Sequence, residues 1–285
     1  MSRIAYVNGR YLPHSDAKVS IDDRGYQFAD AVYEVCEVRA GRLIDERRHM
    51  ARLERSLGEL RIARPMSPAA LSIVLRETVR RNRVRDGIVY LQISRGVARR
   101  DFAFPPADTK PSVVVNARSN DLARIEQLAA DGIAVVTVPD IRWQRVDIKS
   151  VALLPNVLAK QTARDQGARE AWLVDPHGRV TEGASSNAWI VSRDGKLITH
   201  PLGRDILPGI TRSVVVDMVK AQGLEFEERA FSVDEAYAAR EAFVTSASQT
   251  VLPVVSIDGR PVGNGAPGLV AAALRRDYHR HAEIG

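Results

Sequence analysis

Residues 140–160 read Asp-Ile-Arg-Trp-Gln-Arg-Val-Asp-Ile-Lys-Ser-Val-Ala-Leu-Leu-Pro-Asn-Val-Leu-Ala-Lys, and Lys149 stands near the middle of them. An apolar, strand-like run ends before this lysine, and the pattern after it predicts a helix from about Val151 to Gln166. Partial burial at such a boundary favours the neutral amine, which is a nucleophile or a base. The alternative is a surface lysine whose stem packs on apolar neighbours. Lys149 alone does not decide between the two.

Two segments further along the chain have the chemistry to bind parts of a cofactor. Glu182 lies in Val180-Thr181-Glu182-Gly183-Ala184-Ser185-Ser186-Asn187, beside small residues that permit close approach of the backbone to a ligand. Its carboxylate suits a protonated ring nitrogen, and a turn carboxylate bonded to nearby backbone is the alternative. Leu207-Pro208-Gly209-Ile210-Thr211 leads into a predicted helix from Arg212 to Ala221, whose first N–H groups suit either a phosphate or water.

The chain has 285 residues, of which 45% are hydrophobic and 27% charged. At roughly 150 residues per domain this length predicts two domains, and the composition excludes an unfolded chain. The net charge of +6 supports nucleic-acid binding only weakly; we interpret it as a solvated basic face, with attraction of small anionic substrates as the alternative. The single cysteine, Cys36, cannot form an intramolecular disulfide, and neither a signal peptide nor a long apolar run is evident. We therefore expect a soluble, untargeted protein of the cytoplasm.

Helical and strand patterns alternate irregularly along the chain, and no internal repeat is present. In the first half, the sequence pattern predicts hairpin turns at residues 8–9 and 40–41, helices at 45–60 and 67–79, and strands at 88–94 and 112–117. A polar stretch at 119–121 marks the domain junction. In the second half, the pattern predicts a strand at residues 133–138, a helix at 151–166 and a strand pair that turns around 175–178. Two more helices are predicted after residue 209 and near residue 269. This mixture indicates an α+β fold.

Several common catalytic signatures do not occur in the sequence. There is no phosphate loop, dinucleotide fingerprint, Cys-x-x-Cys pair or Gly-x-Ser-x-Gly elbow. Only His279 and His281 lie close together among the histidines, and on a helix they would point to different faces, so we expect no metal site. The basic run Arg80–Arg85 is interpreted as a charged helix end because no aromatic residues are interleaved with it.

The segments around Lys149, Glu182 and Thr211 follow one another as in the fold-type IV pyridoxal-phosphate enzymes, which this chain resembles over nearly its whole length. That family includes D-amino-acid transaminases, branched-chain aminotransferases and aminodeoxychorismate lyases. The resemblance is strongest for the D-amino-acid transaminases, through residues 140–160 and through Asp22-Asp23-Arg24-Gly25-Tyr26-Gln27-Phe28-Ala29-Asp30-Ala31-Val32-Tyr33-Glu34-Val35.

This resemblance implies an α+β, two-domain architecture with pyridoxal 5'-phosphate as the cofactor. The smaller N-terminal domain would span residues 1–121. The larger C-terminal domain, residues 122–285, would carry the Schiff-base lysine, and the cofactor would lie at the domain interface.

The resemblance also assigns cofactor-binding roles to individual residues. Lys149 matches the lysine that forms the internal aldimine and later carries a proton between Cα and C4′. Glu182 matches the carboxylate that faces the pyridine nitrogen and keeps it protonated, so that the ring accepts electrons when the Cα proton leaves. The residues that match the phosphate-binding groups come from three segments and are Arg52, Ile210, Thr211 and Ser248.

The expected substrate-binding residues include one departure from the family pattern. Tyr33 matches a tyrosine beside the cofactor, and a core aromatic is the alternative. D-Amino-acid transaminases typically bind the substrate α-carboxylate with an Arg-x-His pair, which here reads Arg100-x-Phe102. Arg100 can still bind a carboxylate with two hydrogen bonds, and Arg99 or Arg142 are candidates to replace the missing donor. In this family the loop commonly reaches the neighbouring subunit's site, which implies a homodimer.

We hypothesise a transaminase that moves the amino group of a D-amino acid, D-alanine or D-glutamate, to a 2-oxo acid by a ping-pong mechanism. A branched-chain L-amino-acid aminotransferase, an (R)-amine transaminase and an aminodeoxychorismate lyase stay open as alternatives. A rival of another class is a non-catalytic basic protein that binds nucleic acid through Arg80–Arg85, but it leaves the segments around Lys149 and Glu182 unexplained. We expect small amino and 2-oxo acids as partners, and neither nucleic acid nor a membrane.

Overall fold

The computed structural model describes residues 3–285, which form two compact units. The first unit comprises the described residues up to Asp121 together with Ile148–Ala152 and Glu283–Gly285. The second comprises Leu122–Asp147 and Leu153–Ala282. Residues 1 and 2 of the expected first domain lie outside the described range.

An antiparallel sheet forms the centre of the first unit. Its six strands, among residues 3–121, are β1 (Ile4–Val7), β2 (Arg10–Pro13), β3 (Ala31–Arg39), β4 (Arg42–Leu43), β5 (Gly87–Ser94) and β6 (Ser112–Ser119). They lie in the order β2-β1-β6-β5-β3-β4. Asn8 and Gly9 join the first two strands with φ angles of 45° and 92°, the left-handed conformation that a two-residue hairpin turn needs. The hairpins predicted at 8–9 and 40–41 are confirmed.

Two long helices cover this sheet and enclose the core of the first unit. The helices of the unit are α1 (Arg24–Phe28), α2 (Glu46–Glu59) and α3 (Pro68–Arg81), and a short 3-10 turn spans His14–Asp16. Ser67 caps α3 by accepting a hydrogen bond from the Ala70 N–H at 3.2 Å, as its Ser-Pro start predicts. Leu53 and Leu57 of α2 and Leu75 of α3 are almost fully buried in the apolar core.

A mixed sheet forms the centre of the second unit. Its ten strands, within residues 122–282, are β7 (Ile133–Pro139), β8 (Glu170–Val174), β9 (Arg179–Gly183), β10 (Asn187–Val191), β11 (Leu197–Thr199), β12 (Phe226–Glu228), β13 (Phe231–Ser232), β14 (Glu241–Ser246), β15 (Thr250–Ile257) and β16 (Arg260–Pro261). Nine lie in the order β12-β11-β10-β14-β15-β7-β8-β9-β13, and β16 pairs with β15. Trp172, Trp189 and Phe243 are fully buried and give this unit its large aromatic core.

The helices of the second unit are α4 (Leu122–Asp131), α5 (Leu154–Asp165), α6 (Ile210–Ala221), α7 (Val233–Ala238) and α8 (Leu269–His281). The predicted helices after 209 and near 269 are confirmed. The sequence analysis did not predict helix α4, of which only Ala129 is buried. Helix α5 begins three residues later than predicted, with Pro155 in its first turn, a position that favours proline.

The segment that carries Lys149 belongs to the first unit, whereas we expected Lys149 in the second domain. This segment lies beside β3 and forms an isolated antiparallel bridge between Ser150 and Val32. The Tyr33 N–H donates to the Lys149 carbonyl at 3.0 Å, and the Val151 N–H donates to the Ala31 carbonyl at 3.1 Å. These backbone bonds are the reason why α5 cannot start at Val151, and they place the lysine beside Tyr33.

Helix α8 contains both of the closely spaced histidines of the sequence. Across residues 3–285, no three His, Cys, Asp or Glu side chains come together in a way that could hold a metal ion. None of the helices in this described range combines the length and apolar character required to traverse a lipid bilayer.

Candidate active site

Lys149 is placed by its backbone and by an aromatic ring in the first unit. Its N–H donates to the Ser56 hydroxyl at 3.3 Å, and its carbonyl accepts from Tyr33. The amine Nζ lies 4.1 Å from the centroid of the Tyr33 ring, which in turn stacks on Tyr90 at 5.7 Å. A cation at this distance is attracted to the face of the ring. The structure thus brings two predicted site residues, Lys149 and Tyr33, into direct contact.

Arg52, the predicted phosphate ligand, lies in a buried charged cluster of the first unit. Its Nε and Nη2 donate to the two carboxylate oxygens of Glu34 at 2.8 and 2.7 Å. His49 Nδ1 lies 2.7 Å from Glu34 Oε2. His49 and Arg52 are three residues apart on α2 and therefore share one face of the helix.

The charge states of this cluster follow from its burial. Burial acts to raise the pKa of Glu34, but the charge and hydrogen bonds of Arg52 outweigh it and lower that pKa to about 2. Burial lowers the pKa of His49; the hydrogen bond and charge of Glu34 oppose this, the positive charges of Arg52 and Lys149 add to it, and the net effect is a lowered pKa. The cluster is therefore an ion pair with a neutral histidine, and we assign the imidazole proton to Nδ1 because it faces an ionised carboxylate.

Sequence reasoning gave no role to Glu34 or His49, although β3 contains a usable signal. Val32, Glu34, Cys36 and Val38 alternate along the strand and share its buried face. A carboxylate in such an apolar row must find a cation, because an unpaired buried charge is too costly. The same argument would have predicted a buried cationic partner for Glu34 without identifying it as Arg52.

Glu182 is the penultimate residue of β9 in the second unit and is almost fully buried. Its carboxylate contacts Arg142 Nη1, accepts from Asn187 Nδ2 at 2.9 Å, and accepts from the Leu207 N–H at 3.1 and 3.2 Å. Burial raises the pKa of Glu182 to about 7, and the charge and hydrogen bond of Arg142 oppose this rise. Its protonation is therefore decided by its neighbours, as is typical of functional carboxyl groups.

The Arg142 guanidinium binds both the Glu182 carboxylate and the Asp140 carboxylate. Its Nε and Nη2 donate to the two oxygens of Asp140 at 2.9 and 2.7 Å. The same Nη2 also lies 3.3 Å from the Thr181 hydroxyl and 3.1 Å from the Asp205 carbonyl. This engagement argues against Arg142 as a replacement ligand for a substrate carboxylate.

Helix α6 begins at Ile210 without a side-chain cap, and Ile210 and Thr211 are both buried. A Cβ atom on Gly209 would lie 2.0 Å from Asn187 Oδ1, so only glycine fits before this helix. Asn187 also donates to the Leu207 carbonyl at 3.0 Å. Asn187, to which sequence reasoning gave no role, therefore connects Glu182 to the helix start.

Ser248 lies in the tight turn between β14 and β15 and is exposed. The register of β10 and β14 pairs Asn187 with Thr245, near this turn. Among the hydrogen bonds of residues 3–285, none joins Ser248 to the start of α6.

The loop that carries Arg100 and Phe102 is anchored in the first unit by Arg24, whose Nη1 donates to the Asp101 carbonyl at 2.6 Å. The guanidinium carbon of Arg100 lies 5.0 Å from the Phe28 ring centroid and 5.8 Å from that of Phe102. Phe102 itself is 81% exposed. The arginine of the altered pair is thus oriented by aromatic faces where the family pattern has a histidine.

The groups present fit pyridoxal phosphate. The first unit offers the amine of Lys149 beside an aromatic ring, together with Arg52. The second unit offers a buried carboxylate, Glu182, tied to an uncapped start of a 12-residue helix. An amine for an aldehyde, a carboxylate for a ring nitrogen, and a helix start for a phosphate are the three complements that this molecule needs.

Comparison with known proteins identifies the family. The profile of the amino-transferase class IV family matches residues 31–257. The chain is 39% identical to the D-alanine aminotransferase of Staphylococcus haemolyticus over 98% of this chain and 97% of that protein. It is 42% identical to the D-alanine aminotransferase of Bacillus licheniformis over 92% and 90% of the two chains. The chain belongs to the class IV aminotransferases.

Solved structures of related enzymes share the fold. The T.th. branched-chain amino acid aminotransferase with pyridoxamine 5'-phosphate aligns with a TM-score of 0.89 at 28% identity, covering 98% and 94% of the two chains. That of Escherichia coli aligns with a TM-score of 0.85 at 26% identity and the same coverage. The expected α+β, fold-type IV architecture, the aminotransferase activity and pyridoxal 5'-phosphate as cofactor are confirmed.

The buried ion pair of Glu34 leads to a pH-dependent stability prediction. We expect Glu34→Gln to lower the free energy of unfolding of the cofactor-free protein by about 3 kcal/mol near pH 7, because Arg52 loses its counter-ion. Since folding lowers the pKa of Glu34 from 4.5 to about 2, the wild-type advantage is complete above the unfolded value and is lost as pH falls through the folded one.

Urea unfolding of both proteins from about pH 7 downward measures this difference. Glu59→Gln, at the exposed end of α2, is the control and should change stability by less than about 0.5 kcal/mol. An equal loss at every pH would contradict the assignment of an ionised Glu34.

Proposed function

We propose that this protein is a D-amino-acid transaminase, with D-alanine or D-glutamate as amino donor and a 2-oxo acid as acceptor. The observation that carries the proposal is the 39% identity to a D-alanine aminotransferase over 98% of the chain. The solved branched-chain enzymes share the fold at lower identity, 26 and 28%. They make a branched-chain L-amino-acid aminotransferase the alternative to be tested.

The proposal assigns the cofactor to the predicted residues. Lys149 would hold it covalently through Nζ, and the groups on its phosphate would be Arg52, Ile210, Thr211 and Ser248. When bound, pyridoxal phosphate supplies an electron-withdrawing ring that takes up the electrons left behind when the substrate loses its Cα proton. The buried ion pair of Arg52 with Glu34 supports this role, because it holds the guanidinium in one orientation.

Lys149 is the proposed acid and base. As a free amine, Nζ would remove the proton from the substrate Cα and return it at C4′. Three contacts support this role, since they limit where the amine can move. The amine lies against the Tyr33 ring, the Lys149 N–H donates to the Ser56 hydroxyl, and the Lys149 carbonyl accepts from the Tyr33 N–H.

Glu182 is the proposed partner of the ring nitrogen. A carboxylate there holds a proton on the nitrogen and makes the ring a better electron acceptor. The contacts from Asn187 and the Leu207 N–H support the role because they fix both carboxylate oxygens. Removal of this carboxylate charge would weaken catalysis without removing the base.

Arg100 is the proposed ligand of the substrate α-carboxylate. Its guanidinium lies against the Phe28 and Phe102 rings, so the N–H groups along the edge of the guanidinium plane are the ones that can donate to a carboxylate. Phe102 cannot donate the hydrogen bond that histidine provides in the family's Arg-x-His pair. We therefore propose weaker binding of the carboxylate than in enzymes that keep the pair.

We further propose a cytoplasmic homodimer formed through the loops around Ile21 and Phe102. Large apolar side chains are exposed on these loops at Val19, Ile21, Tyr26, Val97, Phe102 and Phe104. The Asp23–Val97 bridge and the hydrogen bond from the Ala98 N–H to the Asp22 carbonyl hold the two loops together. Apolar groups gathered in this way indicate an interface. The buried, unpaired thiol of Cys36 is compatible with a reducing compartment.

The substrate comparison tests the proposed function directly. The holoenzyme should convert D-alanine and 2-oxoglutarate at least about 100-fold faster than L-leucine and 2-oxoglutarate, measured as kcat/KM. Lys149→Ala should abolish turnover because the base is removed. Borohydride reduction of the wild-type holoenzyme followed by peptide mapping should label Lys149.

Lys196→Ala is the control for this variant, because Lys196 is a partly exposed lysine of the second unit paired with Glu227. A preference for L-leucine would establish the branched-chain alternative. A label on another lysine would overturn the assignment of Lys149.

The altered carboxylate pair gives a second prediction. We expect Phe102→His to lower KM for D-alanine by about tenfold with kcat changed less, since a neutral or charged donor is restored beside Arg100. Phe102→Leu keeps an apolar side chain without a donor and should not lower KM. Steady-state kinetics of both variants decide whether the missing hydrogen bond limits substrate binding.

The proposed dimer predicts a sedimentation mass of two chains. Replacing Ile21 and Tyr26 by Asp should shift the protein toward one chain, because both side chains are among the most exposed apolar groups of the loops. Replacing Leu269 by Asp, at an exposed position of α8, is the matched control and should leave the mass unchanged. A wild-type protein that sediments as a single chain would overturn the dimer.

A further inference from the structure

Arg142 makes the only charged hydrogen bond to the Glu182 carboxylate among the described residues of the second unit. Its side chain is 5% exposed, and the side chain of Glu182 is 7% exposed. Water therefore does little to screen the interaction between the two charges. Asp140 and Thr181 fix the guanidinium on its other edge. An arginine that only filled space beside the end of β9 would not need this number of charged hydrogen bonds.

The charge state of Glu182 depends on an uneven set of neighbours. The charged groups that act on it are Arg142, which lowers its pKa, and Asp140, which raises it. The other contacts, from Asn187 and the Leu207 N–H, are neutral donors. Burial acts to raise the pKa of Asp140, but hydrogen bonds from Arg142 outweigh it and keep Asp140 ionised. Arg142 is thus the positive group in a site that otherwise disfavours a carboxylate.

A buried carboxyl group and a ring nitrogen in contact share one proton. The proton lies either on the nitrogen, which leaves a carboxylate, or on the carboxyl oxygen, which leaves two neutral groups. Both arrangements hold the same number of protons, so the surroundings choose between them more than the pH does. Burial favours the neutral pair. A fixed positive charge against the carboxylate favours the ionic pair.

We propose that Arg142, held by Asp140, is a positioning residue that keeps the shared proton on the cofactor's ring nitrogen and off Glu182. The inference rests on the proposed placement of Glu182 beside that nitrogen. It deepens the proposed function, because a protonated ring is the stronger electron acceptor. It also gives Arg142 a role other than binding the substrate carboxylate.

The test reads the ring nitrogen directly. Holoenzyme is prepared with pyridoxal phosphate isotopically labelled at that nitrogen, and the nitrogen NMR shift reports whether it carries a proton. In Arg142→Gln we expect the shift to move to the unprotonated range and kcat for D-alanine to fall by about 100-fold or more, with KM changed by less than about threefold. Arg142→Lys keeps a positive charge and should restore most of both signals.

Loss of Arg142 alone leaves Asp140 buried without its counter-ion, which can prevent folding. The double variant Arg142→Gln/Asp140→Asn removes both charges and should fold while showing the same unprotonated nitrogen. Arg229→Gln is the control, since Arg229 forms only partly exposed ion pairs with Glu227 and Glu235 in the same unit. It should leave the nitrogen shift and kcat at wild-type values.

Glu182→Gln separates failure of this inference from failure of the proposed function. If Glu182→Gln removes the proton from the nitrogen while the folded Arg142→Gln and double variants keep it, the role of Arg142 is wrong and that of Glu182 stands. If Glu182→Gln leaves the nitrogen protonated, the placement of Glu182 itself is wrong, and the inference falls with it.

Discussion

A carboxylate that is removed from water must meet a cation, and this constraint shapes both units. In the first unit Glu34 lies on the buried face of β3, and it fixes Arg52 and His49 of α2. In the second unit Glu182 lies near the end of β9 and is held by Arg142, whose other edge is fixed by Asp140. Neither pair is a strong source of stability, because desolvation offsets most of the attraction. Their value lies in orientation: each leaves a charged group immobile where a cofactor is expected.

Structural features that depend on a few adjacent residues could be predicted from the sequence. The hairpin at residues 8–9 and the helix start near residue 67 follow from the conformational preferences of a few adjacent residues, and both were predicted. The cofactor residues came from a resemblance, not from periodicity. Contacts between distant residues could not be predicted: Arg142 and Glu182 are 40 positions apart, and nothing near Arg142 in the chain indicates its partner. Only Glu34 could have been recognised from its neighbours in the chain, as a charged residue in a row of apolar ones.

Under the proposed role of Arg100, one substitution changes the physical basis of substrate recognition. A histidine beside this arginine would donate a directional hydrogen bond, whereas Phe102 presents a flat apolar face. The rings of Phe28 and Phe102 orient the guanidinium by stacking, which restrains its plane but adds no donor. Selection among substrates at such a site depends more on the shape of the apolar side chain and less on the carboxylate.

The backbone pairing of Ala31 and Tyr33 with the segment around Lys149 has a consequence for how the chain can be divided. The chain enters the first unit a second time at Ile148–Ala152 and a third time at Glu283–Gly285. A cut after Asp121 therefore removes a backbone partner from the start of β3, and Lys149 with it, while the pairing of β3 with β4 and β5 remains. Chimaeras between relatives that exchange everything after that point would combine a strand from one parent with the adjoining lysine peptide of the other. Recombination is better tolerated when strand and lysine peptide are inherited together.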